Sequence, residues 1–461
     1  MRAGVVNAGA RLDRLPITRF HWKVLGLISA GAFFDSFDIF LAGSVVAAMI
    51  NERFADLQTG AIFVSATFVG MTIGAGLSGI AGDRFGRRYS YQLNLALFGI
   101  ASLLACFAPD IRTLIGLRFL MGVGMGAELV VASGTLLEFI PPASRGRWIS
   151  MLGFVINSGL LAASAVGYYV IPALGWRWMF AVVGIGALFV WILRHRMPES
   201  PRWLESRGRN DEAEQVLCRI ESEVSKRAGP LPPVTEVRDV PVSRAPLSRI
   251  FSAGIRGRTI VAALTNMSIN VSLYGFVGWL PTFFIRQGLT VVHSLGFTLL
   301  MSFGAPVGAL VAFVVADRLG RARGITVFAL LTIALGFVYS SMRAEIPLGA
   351  VGFILVTSIY TITTLGYFGF IPELFPTDVR LRGTGFAAVC GRGTSIAMPY
   401  VTLALFSLFG VSGVLSMVSG MLGLLAIAIA ALRIETGRHA LEDIAAPVES
   451  ESVKDVVRRP L

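Results

Sequence analysis

Gly82-Asp83-Arg84-Phe85-Gly86-Arg87 returns later in the chain as Ala316-Asp317-Arg318-Leu319-Gly320-Arg321. The two aspartates, 83 and 317, stand 234 residues apart. Further on, Glu138, Pro141 and Arg145 recur as Glu373, Pro376 and Arg380, each 235 residues later. Two clusters repeating at almost one offset mark a duplicated unit. Each cluster is flanked by apolar runs long enough to cross a bilayer, so the unit that was duplicated is membrane-embedded.

Working outward, the composition agrees. Of 461 residues 54% are hydrophobic and only 15% charged, against about 25% charged in an ordinary soluble domain, and the mean hydropathy is +0.71. The net charge of +12 does not indicate nucleic acid, because the bases fall in alternate loops and not along one face. Cys106, Cys218 and Cys390 have no metal-ligand spacing, so neither a disulfide framework nor a metal site is expected. The first 20 or so residues are basic and not apolar, and the first apolar run is too long for a cleaved signal. It reads as a retained first span.

Runs of about 20 apolar residues predict spans 1 to 6 at 24–48, 58–81, 91–109, 113–137, 149–172 and 177–193. Spans 7 to 12 follow at 259–284, 294–316, 325–342, 347–371, 384–409 and 411–432. The expectation is an all-α membrane protein of 12 transmembrane helices in two pseudo-symmetric six-helix bundles, residues 1–193 and 259–433. Between them lies a cytoplasmic linker, 194–258, and after them a tail, 434–461. With both termini inside, 33 of the 40 Lys and Arg lie in the termini and inner loops, which sets the orientation. In the linker, Asn210 and Asp211 open a predicted surface helix with Glu214 placed for a capping box. Ala213, Val216, Leu217 and Ile220 follow at helical spacing, before Pro230, Pro232, Pro233, Pro241 and Pro246 break it.

An ionisable side chain in a bilayer is costly unless it is paired or meets water, so each one within a span is a functional candidate. They are Asp35 and Asp38 in span 1, Arg118 and Glu128 in span 4, and Arg392 in span 11. At 1.5 Å per residue, Asp38 lies roughly 15 Å from the outer end of span 1 and Arg118 roughly 9 Å from that of span 4, a difference an arginine can bridge. Asp38 is therefore expected to pair with Arg118, while Asp35 lies nearer the level of Glu128; all four, Asp38, Asp35, Arg118 and Glu128, are candidates for proton coupling. A carboxylate held between desolvation and a nearby arginine is a proton-coupling device; the alternative is a permanent pair that only orients two helices. Glu128 reads either as a second protonation site or as a hydrogen-bonded group within the bundle.

Arg392, about eight residues into span 11 among Gly391, Gly393, Thr394 and Ser395, suits bidentate capture of an organic carboxylate. Its alternative is an ion pair with Asp35 or Glu128. Asn266, Asn270, Tyr274 and Trp279 in span 7, with Tyr360 and Tyr367 in span 10, are candidates to complete a substrate pocket. The repeated clusters, Asp83, Arg84, Arg87, Glu138, Arg145 and Glu199 with Asp317, Arg318, Arg321, Glu373 and Arg380, are expected to latch the inner ends of the halves as a cytoplasmic gate. Gly122, Gly124 and Ala127 mimic a dinucleotide fingerprint but sit inside a span, where small residues serve helix packing. No catalytic constellation surrounds any histidine, so no enzyme and no cofactor are expected.

The two Gly-Asp-Arg-x-Gly-Arg loops resemble the major facilitator superfamily over nearly the whole chain. Pro198-Glu199-Ser200-Pro201-Arg202-Trp203-Leu204 resembles the segment after span 6 in sugar porters and related metabolite and organic-ion carriers. The glutamines that sugar porters carry in spans 5 and 7 are replaced here by Asn157, Thr265 and Asn266. Asp35-Ser36-Phe37-Asp38 resembles the Asp-Gly-x-Asp element of aromatic acid:proton symporters, with serine for glycine. Gly126 to Ala132 resembles span 4 of niacin-type carriers, with Val130 where proline is common. The resemblance implies the major facilitator fold and a monomeric proton symporter of a small aromatic carboxylate, such as nicotinate or a benzoate, in a bacterial inner membrane. A sugar, polyol or organic-cation carrier, or a non-transporting sensor on the same fold, is the alternative.

Overall fold

A computed structural model describes residues 6–195, 197–234, 247–342, 345–375 and 379–432. The predicted tail, Pro241, Pro246 and Pro376, and the side chains of Asp83, Arg87 and Asp317 lie outside the described residues. What is described is helical and contains no strand.

Spans 1 to 6 are the helices Arg19–Asn51, Leu57–Phe85, Arg87–Ala105, Ile111–Phe139, Arg145–Leu174 and Arg177–Arg194. Their starts are chemically marked: Asp56 and Asp110 each accept the backbone N–H three residues on, from Thr59 and Thr113, satisfying donors the helix leaves open. Those same bonds hold both exposed carboxyls below the usual carboxylate range. Among the described residues nine helices are long and apolar enough to cross a membrane. Spans 3 and 4 are absent from that set, and the last two spans are counted in it as one helix. Span 3 is diluted by Tyr89, Gln92 and Asn94, span 4 lies in part outside the residues whose side chains are described, and spans 11 and 12 run together through Arg380–Ala431 across a break at Gly410 (φ 65°).

Spans 7 and 10 are not plain α-helices. Span 7 runs from Arg256–Asn270 into a π-helical turn, Val271–Phe276, then a 3₁₀ turn and the helix Leu280–Arg286. Span 10 runs from Glu345–Leu365 into a second π-helical turn, Gly366–Phe370. Such turns recur at functional sites. Span 8 is Val291–Ser302 continued by Gly304–Arg318, and span 9 is Arg321–Ser341.

The halves pack alike. Span 2 lies on span 4 and span 1 on span 5, as span 8 lies on span 10 and span 7 on span 11. The seam between halves is made by span 2 against span 11, span 5 against span 8, and span 1 against span 7. At the last contact, a Cβ on Gly43 would stand 2.0 Å from the Gly278 carbonyl oxygen, so only glycine lets these backbones meet. The path between the halves is thereby closed toward the end remote from the linker. Phe107, Tyr169, Phe189, Val389, Leu408 and Ile427 face outward, the surface that lipid requires.

At the linker end, Pro201–Ser206 and Asn210–Ala228 are helices. The second buries Leu217, Ile220 and Val224 in one cluster with Phe20, Val24 and Ile28 of span 1 and Trp148 of span 5, and Ala213 in another with Trp203 and Leu204. Glu214 does not form the predicted capping box, because it is engaged by Arg11 instead, and the N-terminus of this helix has no side-chain cap. Arg11 belongs to a short helix, Ala8–Asp13, whose Ala8 and Leu12 are buried in the first of these clusters. Arg11 also meets Glu221 at 2.7 Å, as does Arg14. Asp13 accepts from Arg202 at 2.6 Å and Arg145 at 3.3 Å, and Glu205 accepts the backbone N–H groups of Asn7 and Ala8. The N-terminal segment thus straps the linker helices to the first half. Arg11 holds the Glu214 carboxyl below its ordinary value; burial pushes Glu221 up, but Arg11 and Arg14 outweigh it and the net direction is down.

Candidate functional site

Span 1 passes through the middle of the first half with its whole central stretch, Asp35 to Met49, buried or nearly so. Asp38 is 0% exposed and Arg118 1%. The Arg118 guanidinium donates to Asp38 Oδ2 at 2.5 Å and to the Asp38 carbonyl oxygen at 2.9 Å, and lies 5.0 Å from the Phe63 ring centroid. The structure therefore joins the two residues whose depths matched in the sequence. The other carboxyl oxygen, Oδ1, is buried without a hydrogen bond, so the pair is close but not fully satisfied.

Glu128 finds a partner that the sequence reading missed. Its Oε1 lies 2.5 Å from Arg194 Nη1, both residues 1% exposed. Arg194 also donates to the carbonyl oxygens of Leu27 and Ile28 on span 1, at 2.8 and 2.9 Å, and covers the Tyr91 ring at 4.9 Å. From sequence Arg194 counted as one of many basic residues of the inner loop. The structure corrects this: it is the last residue of span 6, turned into the bundle. Asp35 is also buried, and neither of its oxygens has a hydrogen-bond partner.

In the second half, Asn270 Nδ2 donates to Asn266 Oδ1 at 2.9 Å and to Tyr367 Oη at 2.8 Å, while Ser395 Oγ donates to Asn270 Oδ1 at 2.7 Å. A Cβ on Gly391 would fall 1.8 Å from Asn266 Oδ1; its lack of a side chain makes room for this network. Arg392 lies within electrostatic reach of Tyr274 and Tyr367 and donates across the seam to the Met71 carbonyl oxygen at 2.9 Å. Among the described residues no carboxylate stands in ion-pairing range of it, so neither Asp35 nor Glu128 is its partner. Tyr274 packs on Phe68 and Phe40 of the first half, with centroids 4.5 and 6.3 Å apart. Tyr360 lies 6.4 Å from Phe40, its hydroxyl buried and unpartnered. Trp279 is buried nearer the closed end.

The seam is otherwise held by neutral groups: Ser65 to the Ile396 carbonyl at 3.0 Å, Asn157 to Thr364 at 3.1 Å, and Ser164 to Ser302 at 2.7 Å. Among the linker-end charges, Glu199 accepts the backbone N–H of Arg88 at 3.1 Å, and Arg202 donates to the Glu138 carbonyl at 3.0 Å. Arg145 donates to the Ile140 carbonyl, and Arg321 meets Glu373 at 3.1 Å. None of these contacts joins one half to the other. Arg84 and Arg318 are exposed, and Arg380 donates to the Phe375 carbonyl at 3.4 Å.

A family model described as "Sugar (and other) transporter" matches residues 24–446. The chain belongs to this family, within the major facilitator superfamily. The transporter is 35% identical to the inner membrane metabolite transport protein YdjE of Escherichia coli (strain K12), over 95% of this chain and 98% of that one. It is 30% identical to the niacin transporter NiaP of Acinetobacter baylyi, over 85% of this chain and 89% of that one. Among solved structures, the xylose transporter XylE from Escherichia coli, in a partially occluded inward-open conformation, superposes with a TM-score of 0.71 at 19% identity, covering 92% of this chain and 100% of that one. At that identity the likeness is one of fold.

A cavity of about 860 Å³ opens on the transporter at the end remote from the linker, bordered by Arg53, Phe54, Asp56, Ile111, Ile285 and Arg286. None of the expected site residues lines it. Those residues form two groups, an acid and arginine group in the first half and an amide, tyrosine and arginine group in the second, with Phe40 and Phe68 between them. Among the described residues no cluster of His, Cys, Asp and Glu could hold a metal.

Proposed function

We propose that this transporter is a proton-coupled symporter of a small organic anion, an aromatic carboxylate such as nicotinate or a benzoate, working by alternating access in a bacterial inner membrane. The observation that carries the reading is Arg392: a guanidinium at mid-span, without a carboxylate partner among the described residues, beside Tyr274 and Tyr367. A planar anion could be gripped by the fork of Arg392 and stacked on the rings next to it. The niacin transporter among its relatives supports the same class of cargo.

In this reading Asp38 takes the coupled proton. Asp38 is held between burial, which disfavours a carboxylate, and the Arg118 guanidinium, which favours one, so water or an anionic cargo admitted as the halves rock would tip the balance. Substrate and proton together need bias the two states by only a few kcal/mol. The test is uptake into proteoliposomes of labelled nicotinate and benzoate under an imposed pH gradient. Arg392→Ala should weaken carboxylate binding at least tenfold, and equal affinity in the variant would refute the anchor.

A second reading has its own support. The Asn266–Asn270–Tyr367–Ser395 network offers amide and hydroxyl groups suited to a sugar or polyol. Competition separates the two: a polyol carrier would be blocked by hydroxylated cargo and ignore carboxylates.

A further inference from the structure

The interior of the first half holds three buried carboxyl groups, Asp35, Asp38 and Glu128, and two buried guanidinium groups, Arg118 and Arg194. Each arginine is committed. Arg118 binds Asp38 through two contacts, and Arg194 binds Glu128 and two carbonyls of span 1. Asp35 is left with no counter-ion of its own and no hydrogen bond to either oxygen. A lone carboxylate in so dry a place costs several kcal/mol, and it escapes that cost by staying protonated.

The site around it is built. Gly31 and Asp35 are i and i+4 on span 1 and share one face. A Cβ at Gly31 would lie 2.2 Å from Arg194 Nη2 and 2.4 Å from Glu128 Oε1, so the missing side chain is the socket in which the pair sits, one turn from Asp35. The charged and titratable groups that face Asp35 are Glu128 on span 4, Arg194 on span 6 and Asp38 on its own helix; Tyr91 on span 3 closes the far side of Arg194. Asp35 is three residues, about 4.5 Å, nearer the linker end than Asp38, and Gly31 about 6 Å nearer again.

We infer that Asp35 holds a proton and, with the Glu128–Arg194 pair in the Gly31 socket, forms a second proton site on the linker side of Asp38. This deepens the symport reading and rests on it only for the proton's purpose: Asp35 first releases its proton to water at the linker end, and the ionised Asp35 then takes the proton accepted at Asp38, which restores the resting state. Arg194 is a positioning residue, fixing Glu128 and keeping the second positive charge off Asp35.

The experiment is infrared spectroscopy of the substrate-free protein in lipid, following the carbonyl stretch of protonated carboxyl groups that are shielded from water. Wild type should show one such group per chain. Asp35→Asn should remove it. Glu128→Gln should remove it as well, because Asp35 then ionises against the freed Arg194; this second variant keeps the test alive if the first does not fold. Arg194→Gln should raise the signal about twofold, and Arg194→Lys should leave it unchanged. A band that survives in full in Asp35→Asn or in Glu128→Gln overturns the inference. Since no cargo is present, failure of carboxylate uptake would remove the symport reading alone, and a surviving band would remove this site alone.

Discussion

At the residue scale, the Asp38–Arg118 contact makes a sharp prediction about stability. Arg118→Ala leaves a buried carboxylate without its counter-ion and should cost about 3–5 kcal/mol; adding Asp38→Asn to that variant should recover most of the loss. Thermal unfolding in one detergent measures both. Asp38→Asn alone should abolish uphill accumulation of the cargo while leaving exchange of labelled for unlabelled cargo intact, and unimpaired accumulation would take the coupling role from Asp38. The Asp38–Arg118 pair was legible because both charges lie inside apolar runs, where depth can be counted from the helix ends. Arg194 was not legible. It stands at the border of span 6 beside His195 and Arg196, where any arginine looks like part of a positive inner loop, and its socket at Gly31 lies 163 residues away on another helix.

At the element scale, the N-terminal strap was overlooked although Ala8, Leu12 and Leu15 are spaced for one helical face. Six residues are too few to hold a helix in water, so only the partner surface supplied by the linker helices makes it one. Leu12→Ala should cost about 2–5 kcal/mol and expose the segment to protease. Because Arg11 and Arg14 hold Glu214 and Glu221 below the ordinary carboxylate range, their share of stability is full at neutral pH. It should fade only as the pH falls below about 4 and through the lowered native values. Protease resistance of the N-terminus against pH checks the sign: loss of the strap on raising the pH toward 8 would contradict it. The spans themselves were readable to within a few residues, since bilayer thickness fixes their length. The π-helical turns were not, because one surplus residue in a helix leaves no mark on hydrophobic content.

At the scale of the whole molecule, the buried acids among the described residues of the site belong to one half and the amide, tyrosine and Arg392 group to the other, and the duplication in the sequence gives no hint of that division. The closure at Gly43 should be removable. Gly43→Val places methyl groups where the Gly278 carbonyl now sits, and should favour an arrangement with the remote end parted; a cysteine introduced as Ile50→Cys, on the rim of the remote cavity, should then react faster with a water-soluble maleimide.

Arg392 reaches over to the Met71 carbonyl and so joins, like a rivet, two bodies that the proposed alternating access would slide. A carboxylate arriving at that guanidinium would compete with the very bond that fastens them. Cargo would then do more than occupy a seat: by drawing the rivet it would free the machine to move, and an unloaded carrier would idle.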